Sequence, residues 1–145
     1  MKAMRTHQYG PPKVLTLEDV TLPHYTGSDV LIRVVATGVN PIDWKTRSGA
    51  MAQTMHFPMP LKLGWGCAGT IDAIGHLVTG FKPGDSVFTM PEFVRGGTYA
   101  QYAAVDVTQV ALMPRTLSFG VAATLPMTAQ AAGLTGRTAL HVGRS

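Results

Sequence analysis

The punctuation of this chain constrains its fold more than any other feature. Short apolar runs are cut by turn signals roughly every 8–12 residues, the rhythm of an all-β barrel or sandwich. Gly10-Pro11-Pro12 ends a first short strand, and Leu15 to Thr21 reads as a second. After a turn at Tyr25-Thr26-Gly27-Ser28-Asp29, Val30 to Thr37 is a strand dense enough in apolar residues to be buried on both faces for part of its length. Thr70 to His76, Ser86 to Phe88, Thr98 to Val105 and Val107 to Leu112 continue the series. Lys82-Pro83-Gly84-Asp85 and Gly96-Gly97 supply turns between them.

Helix signals are few. Asn40-Pro41-Ile42-Asp43 ends the Val30 strand, since proline cannot donate to a ladder and Asn and Asp bond to nearby backbone. A helical turn through Trp44 to Arg47, closed by Gly49, follows. Ala50 to Leu63, rich in proline and methionine, reads as a loop. Ser118 reads as the N-cap of a helix from Phe119 to Ala132, kinked or broken by Pro126 and closed by Gly133, before a last strand from Arg137 to Val142. The fold class expected is mainly β, of α+β kind.

The 145 residues make about one domain. An apolar fraction of 46% excludes a disordered chain. Charged residues are only 14%, against an ordinary ~25%, so some surface expects a partner. The net charge of +4 comes from scattered residues, among them Lys13, Arg33, Lys62, Lys82 and Arg95. There is no basic run or face, which argues against nucleic-acid binding. The single cysteine, Cys67, excludes an internal disulfide framework and a multi-cysteine zinc lobe. No apolar run reaches about 18 residues, so no membrane span is expected. Nothing after Met1-Lys2-Ala3-Met4-Arg5 reads as a secretory signal, and a cytoplasmic location is the expectation.

Candidate chemistry gathers at the end of the Val30 strand. The Asn40 amide could hydrogen-bond a ribose or a carbonyl, and Lys45 could polarise a carbonyl oxygen or hold a phosphate. The plainer reading makes Asn40-Pro41 a turn and Lys45 a solvated charge. Asp43 reads as a helix cap rather than a base. His7, His24, His56, His76 and His141 show no ligand spacing. Met51, Met55, Met59 and Met90 either line an adaptable apolar pocket or fill core.

Four segments occur in an order that resembles the medium-chain dehydrogenase/reductase family, in its zinc-independent quinone oxidoreductase branch. They are Gly38-Val39-Asn40-Pro41-Ile42-Asp43-Trp44-Lys45 with Arg47-Ser48-Gly49, and Pro60-Leu61-Lys62-Leu63-Gly64-Trp65-Gly66-Cys67-Ala68-Gly69. Val78-Thr79-Gly80-Phe81-Lys82-Pro83-Gly84-Asp85-Ser86-Val87 is the third. Gly96-Gly97-Thr98-Tyr99-Ala100-Gln101-Tyr102, continued by Leu117-Ser118-Phe119 and Ala122-Ala123-Thr124-Leu125-Pro126, is the fourth.

The resemblance implies that residues 1–132 form a GroES-like, partly open β-barrel, the substrate side of a cleft whose other side is a Rossmann domain binding NADPH. It implies hydride transfer from nicotinamide to a quinone or an enone, the cofactor carrying the hard chemistry. Asn40, Lys45 and Thr128 would contact the cofactor, Lys45 would be the catalytic residue, and Trp65, Met90 and Tyr99 would shape the substrate pocket. Zinc is not expected: the His-Glu pair of zinc alcohol dehydrogenases is replaced after Gly64 by Trp65 and Gly66, and no cysteine stands between Gly38 and Asp43. Cys67 reads as a small buried apolar residue.

Residues 133–145 have two readings, the start of a truncated Rossmann strand or a strand returning to the barrel. No GxGxxG pattern follows a strand and opens a helix, so a nicotinamide site is expected to be incomplete without a Rossmann partner. The low charge and the apolar stretch from Leu117 to Ala132 lead to an expected self-association as a dimer. Two rival readings stand beside the enzyme: a non-catalytic module acting through protein association, and an inactive fragment.

Overall fold

The computed structural model describes residues 1–131, with side chains through residue 128. Eight strands and three short helices follow one another along this stretch: β1 (Lys2–Thr6), β2 (Thr16–Asp19), β3 (Asp29–Thr37), α1 (Pro41–Ser48), β4 (Leu61–Lys62), β5 (Cys67–Ile74), β6 (Ser86–Thr89), β7 (Tyr102–Asp106), β8 (Val110–Leu112), α2 (Phe119–Ala122) and α3 (Leu125–Ala131). The strands build two open antiparallel sheets that do not close on each other. One has the order β2-β1-β4, the other β7-β3-β5-β6-β8. They are stitched together where Met4 N–H donates to the Tyr99 carbonyl (2.8 Å) and Gln101 N–H to the Lys2 carbonyl (3.0 Å).

The larger sheet is organised around β3, as its apolar density predicts. Asp29 to Ile32 are all buried. Val30 and Ile32 pack with Ile71, Val87 and Val105 from the neighbouring strands. A second cluster of Phe57, Leu61, Leu63 and Trp65 lies under the loop after α1. The period-two spacing of Leu61, Leu63 and Trp65 places all three inward. A third cluster packs Ala122 and Ala123 on Ala68, setting α2 against the ends of β3 and β5.

Several boundaries differ from expectation for local reasons. Pro41 does not merely end β3; it occupies the first turn of α1, where its missing N–H costs nothing, so the helix begins three residues before Trp44. The strand expected from Thr98 begins at Tyr102, because Thr98 and Tyr99 turn to pair with Gly64 and Leu63. Val107 to Gln109 is a single 3-10 turn, capped by the Asp106 carboxylate on Thr108 N–H (2.9 Å). The Phe119 helix is two helices: Ser118 Oγ caps the first through Val121 N–H (3.3 Å), and the break falls at Ala123-Thr124, ahead of Pro126. Gly133 and the strand expected from Arg137 to Val142 lie outside the described residues.

Candidate functional site

Asn40 leaves β3 in extended conformation and becomes the N-cap of α1. The Asp43 side chain points back into the domain and is buried. Its Oδ2 accepts the Asn40 N–H (2.7 Å) and its Oδ1 the Gly64 N–H (3.0 Å), so one carboxylate ties the start of α1 to the turn before β5. Gly64 has φ +98°, and a Cβ there would stand 2.3 Å from Thr98 Oγ1 and 2.6 Å from Tyr99 Cδ1; only glycine fits. On the other side of that turn the Gly66 carbonyl accepts from Gly38 N–H (3.0 Å) and Thr37 Oγ1 (2.8 Å). The segment carrying Asn40 is thus held from two sides by the Gly64-Trp65-Gly66 turn.

Burial raises the Asp43 pKa, opposed by the two N–H groups it accepts. The Tyr99 hydroxyl is buried beside it without a partner in hydrogen-bond geometry. Burial, then the Asp43 charge, holds that phenol protonated far into the alkaline range. Asp43 is therefore the structural cap the sequence reading expected, with a second bond to Gly64 that no local pattern announces.

Of the other expected site residues, Asn40 is half-buried at the N-cap and Lys45 is exposed one turn later, its Nζ 5.7 Å from the centre of the Trp44 ring. The two share one helix. Thr128 is exposed on α3 and its hydroxyl donates to the Thr124 carbonyl (2.9 Å). Met90 is half-buried just after β6. Trp65 is fully buried, and its indole Nε1 donates to the Phe93 carbonyl (3.0 Å). Tyr99 and Met55 pack against the Trp65 cluster, while Met59 is exposed. Cys67 is buried, its thiol pushed up to about 12 by desolvation. Among the described residues no three His, Cys, Asp or Glu side chains gather as a metal site would require.

A cleft of about 150 Å³ lies between the loop before β4 and the loop after β6. Phe57, Trp65 and Phe93 form its aromatic walls, and Lys62 and Arg95 stand in its rim. Of the expected pocket residues it includes Trp65 but neither Met90 nor Tyr99. Phe57, Phe93 and Arg95 were missed because they lie in irregular segments, where no periodicity predicts which side chains meet, and Lys62 because its strand, β4, is only two residues long.

Comparison with known proteins decides the family. The alcohol dehydrogenase GroES-like domain matches residues 26–115. The chain belongs to this family. Within the medium-chain dehydrogenase/reductases, this GroES-like domain falls with the quinone oxidoreductases. It is 37% identical over 139 residues to a 2-methylene-furan-3-one reductase of Solanum lycopersicum, a match covering 91% of this chain and 36% of that protein. It is 36% identical over 154 aligned residues to the chloroplastic NADPH-dependent alkenal/one oxidoreductase of Arabidopsis thaliana, covering all of this chain and 39% of the relative. Among solved structures, the quinone oxidoreductase from Coxiella burnetii superposes with a TM-score of 0.79 at 34% identity, over 87% of this chain and 41% of that one. The GroES-like domain spans a little over a third of the length of these curated relatives.

Proposed function

We propose that this GroES-like domain is the substrate-side half of an NADPH-dependent reductase that passes a hydride to a quinone or to the β-carbon of an enone. The observation that carries the reading is the match, across 91% of the chain, to a reductase named for an enone substrate. A second relative, named as NADPH-dependent, supports the cofactor. The donor set at the start of α1 fits a nicotinamide: a half-buried amide at Asn40 beside an exposed ammonium at Lys45. Among the described residues no glycine loop after a strand opens a helix to hold the pyrophosphate, so a Rossmann partner completes the site.

When bound, NADPH supplies the hydride. Asn40 orients the nicotinamide end, and the Asp43 bonds hold Asn40 in place. Lys45 polarises the acceptor carbonyl and stabilises the negative charge that develops on its oxygen. Water protonates the resulting enolate or hydroquinone anion, because no described carboxylate or imidazole stands beside Lys45. The reaction uses no zinc, since the positions of the zinc ligands carry Trp65 and Gly66. The protein acts in the cytoplasm.

The test is a rate measurement on a protein carrying this domain with a Rossmann domain. NADPH oxidation is followed with benzoquinone and with an aliphatic alkenal. Turnover with either acceptor supports the reading. NADPH binding without turnover on both makes the domain a non-catalytic module.

A further inference from the structure

Among the described side chains one buried polar atom has no hydrogen-bond partner, the hydroxyl of Tyr99. It stands beside Asp43, the carboxylate that ties Asn40 to the Gly64 turn. A buried donor left unused is costly, and native folds rarely leave one. We propose that Tyr99 is a positioning residue for Asn40: its hydroxyl donates to the Asp43 carboxylate, and that bond keeps the carboxylate able to hold the Asn40 and Gly64 N–H groups together. What Asn40 does for a nicotinamide rests on the hydride-transfer reading; how Tyr99 holds Asn40 does not.

Backbone bonds on both sides deliver the phenol to that spot. Tyr99 N–H donates to the Leu63 carbonyl (3.0 Å), and the Tyr99 carbonyl accepts from Met4 N–H (2.8 Å), so the residue is pinned at the seam of the two sheets. Its ring lies on Gly64, where a Cβ would stand 2.6 Å from the ring Cδ1. The ring also packs against the Trp65 cluster. Gly64 therefore serves the site twice. It gives its N–H to Asp43, and its missing side chain leaves room for the ring that reaches the same carboxylate.

The chemistry of the pair fits a third bond. A carboxylate offers about four lone-pair sites, and Asp43 spends one on each oxygen for an N–H. The phenol has the proton to give, since burial and the Asp43 charge keep it un-ionised far above neutral pH. The bond matters because the anion is under pressure. Burial raises the Asp43 pKa, and the N–H groups of Asn40 and Gly64, with the Tyr99 hydroxyl, pull it back. A protonated Asp43 gives up an acceptor, and then the N–H of Asn40 or of Gly64 is stranded. Among the charges around the pair, Arg47 on α1 lowers the Tyr99 pKa, and its Nε is bound to the Gly10 carbonyl (3.2 Å). Lys45 on the same helix is exposed, and the Leu63-Gly64 turn brings no titratable side chain.

The test is Tyr99→Phe in this chain, which keeps the ring on Gly64 and removes only the hydroxyl. Carbon-13 NMR follows the Asp43 carboxyl against pH, with Asp43→Asn assigning the signal. The Asp43 midpoint should rise by about one pH unit in the variant. The Asn40 and Gly64 N–H groups should exchange with solvent at least about fivefold faster than in the parent. The loss of stability in urea should be largest where Asp43 is ionised and shrink as pH falls through its midpoint, because a protonated Asp43 gains less from the bond. Tyr102→Phe, which removes a hydroxyl on β7, should change none of these. An unmoved Asp43 midpoint, a loss of stability equal at every pH, or the same loss in an Asp43→Asn background overturns the proposal. In a protein that also carries a Rossmann domain, Tyr99→Phe should lower kcat at least about fivefold, with KM for NADPH within about twofold of the parent. Equal kcat denies the positioning role. A parent that turns over no acceptor removes the hydride-transfer reading, and the measurements on this chain alone then decide for or against Tyr99.

Discussion

Lys45 and Lys82 carry the same charge in different settings. Lys82 is mostly exposed in a turn and bound to Asp85 at 2.8 Å; Lys45 is exposed on α1 near Asn40. In a protein that turns over, Lys45→Ala should lower kcat/KM by at least about tenfold, while Lys82→Ala stays within about twofold of the parent. Equal rates for all three remove Lys45 from the site. Asp43 belongs to stability instead. Asp43→Ala strands the buried Gly64 N–H and the Asn40 N–H, and should cost about 2–4 kcal/mol in denaturant unfolding. Asp43→Asn, which keeps one acceptor, should cost less. The capping role of Asp43 is legible because Asn and Asp three residues apart form a local signature. Its bond to Gly64 is not, because it spans 21 positions and depends on how two loops meet. The same holds for the Tyr99 hydroxyl, which no local pattern brings to Asp43.

Elements were legible where pattern repeats and obscure where it stops. The strand cores of β3, β5 and β7 follow from apolar runs, and the helix after Ser118 from its cap. Missed were the two-residue β4 and the pairing of Thr98-Tyr99 with Leu63-Gly64, both decided by tertiary contacts. The loop between β6 and β7 shows how such a segment is held. Its Arg95 grips Asp29, buried at the start of β3, from 66 positions away. The hydrogen bonds from Arg95, with Thr26 adding backbone and side-chain bonds, hold the Asp29 carboxyl well below the usual carboxylate range. An acid with a lowered pKa binds fewer protons folded than unfolded, so its stabilisation is present above about pH 4 and is lost as pH falls through the folded value. Glu18, held down to about 2 chiefly by Thr16 and Arg5, loses its contribution over the same acid window. Asp29→Asn should cost about 2 kcal/mol at neutral pH, and its stability should fall less between pH 4 and 2 than the parent's. Parallel curves from urea unfolding at several pH values would count against the ion pair.

At the scale of the molecule, the mainly β, GroES-like architecture was legible because it rests on the order of many weak signals rather than on any one. Val39, Val121 and Leu125 are exposed, Val39 at 80%, on the segments that approach each other at Gly38 and Ala123. Together with a charged fraction of 14%, that surface predicts self-association of this chain. Sedimentation equilibrium at roughly tens of micromolar should give a mass above 15.4 kDa that rises with concentration; a constant 15.4 kDa means a monomer. Deuterium tests the proposed hydride transfer most directly. NADPH carrying deuterium at both positions of the reactive ring carbon is mixed with an alkenal and a protein carrying this domain and a Rossmann domain. Deuterium should appear on the β-carbon of the saturated product, and a proton from water on the α-carbon. Product without label at the β-carbon, or no product from either the alkenal or a quinone while NADPH is bound, would contradict it.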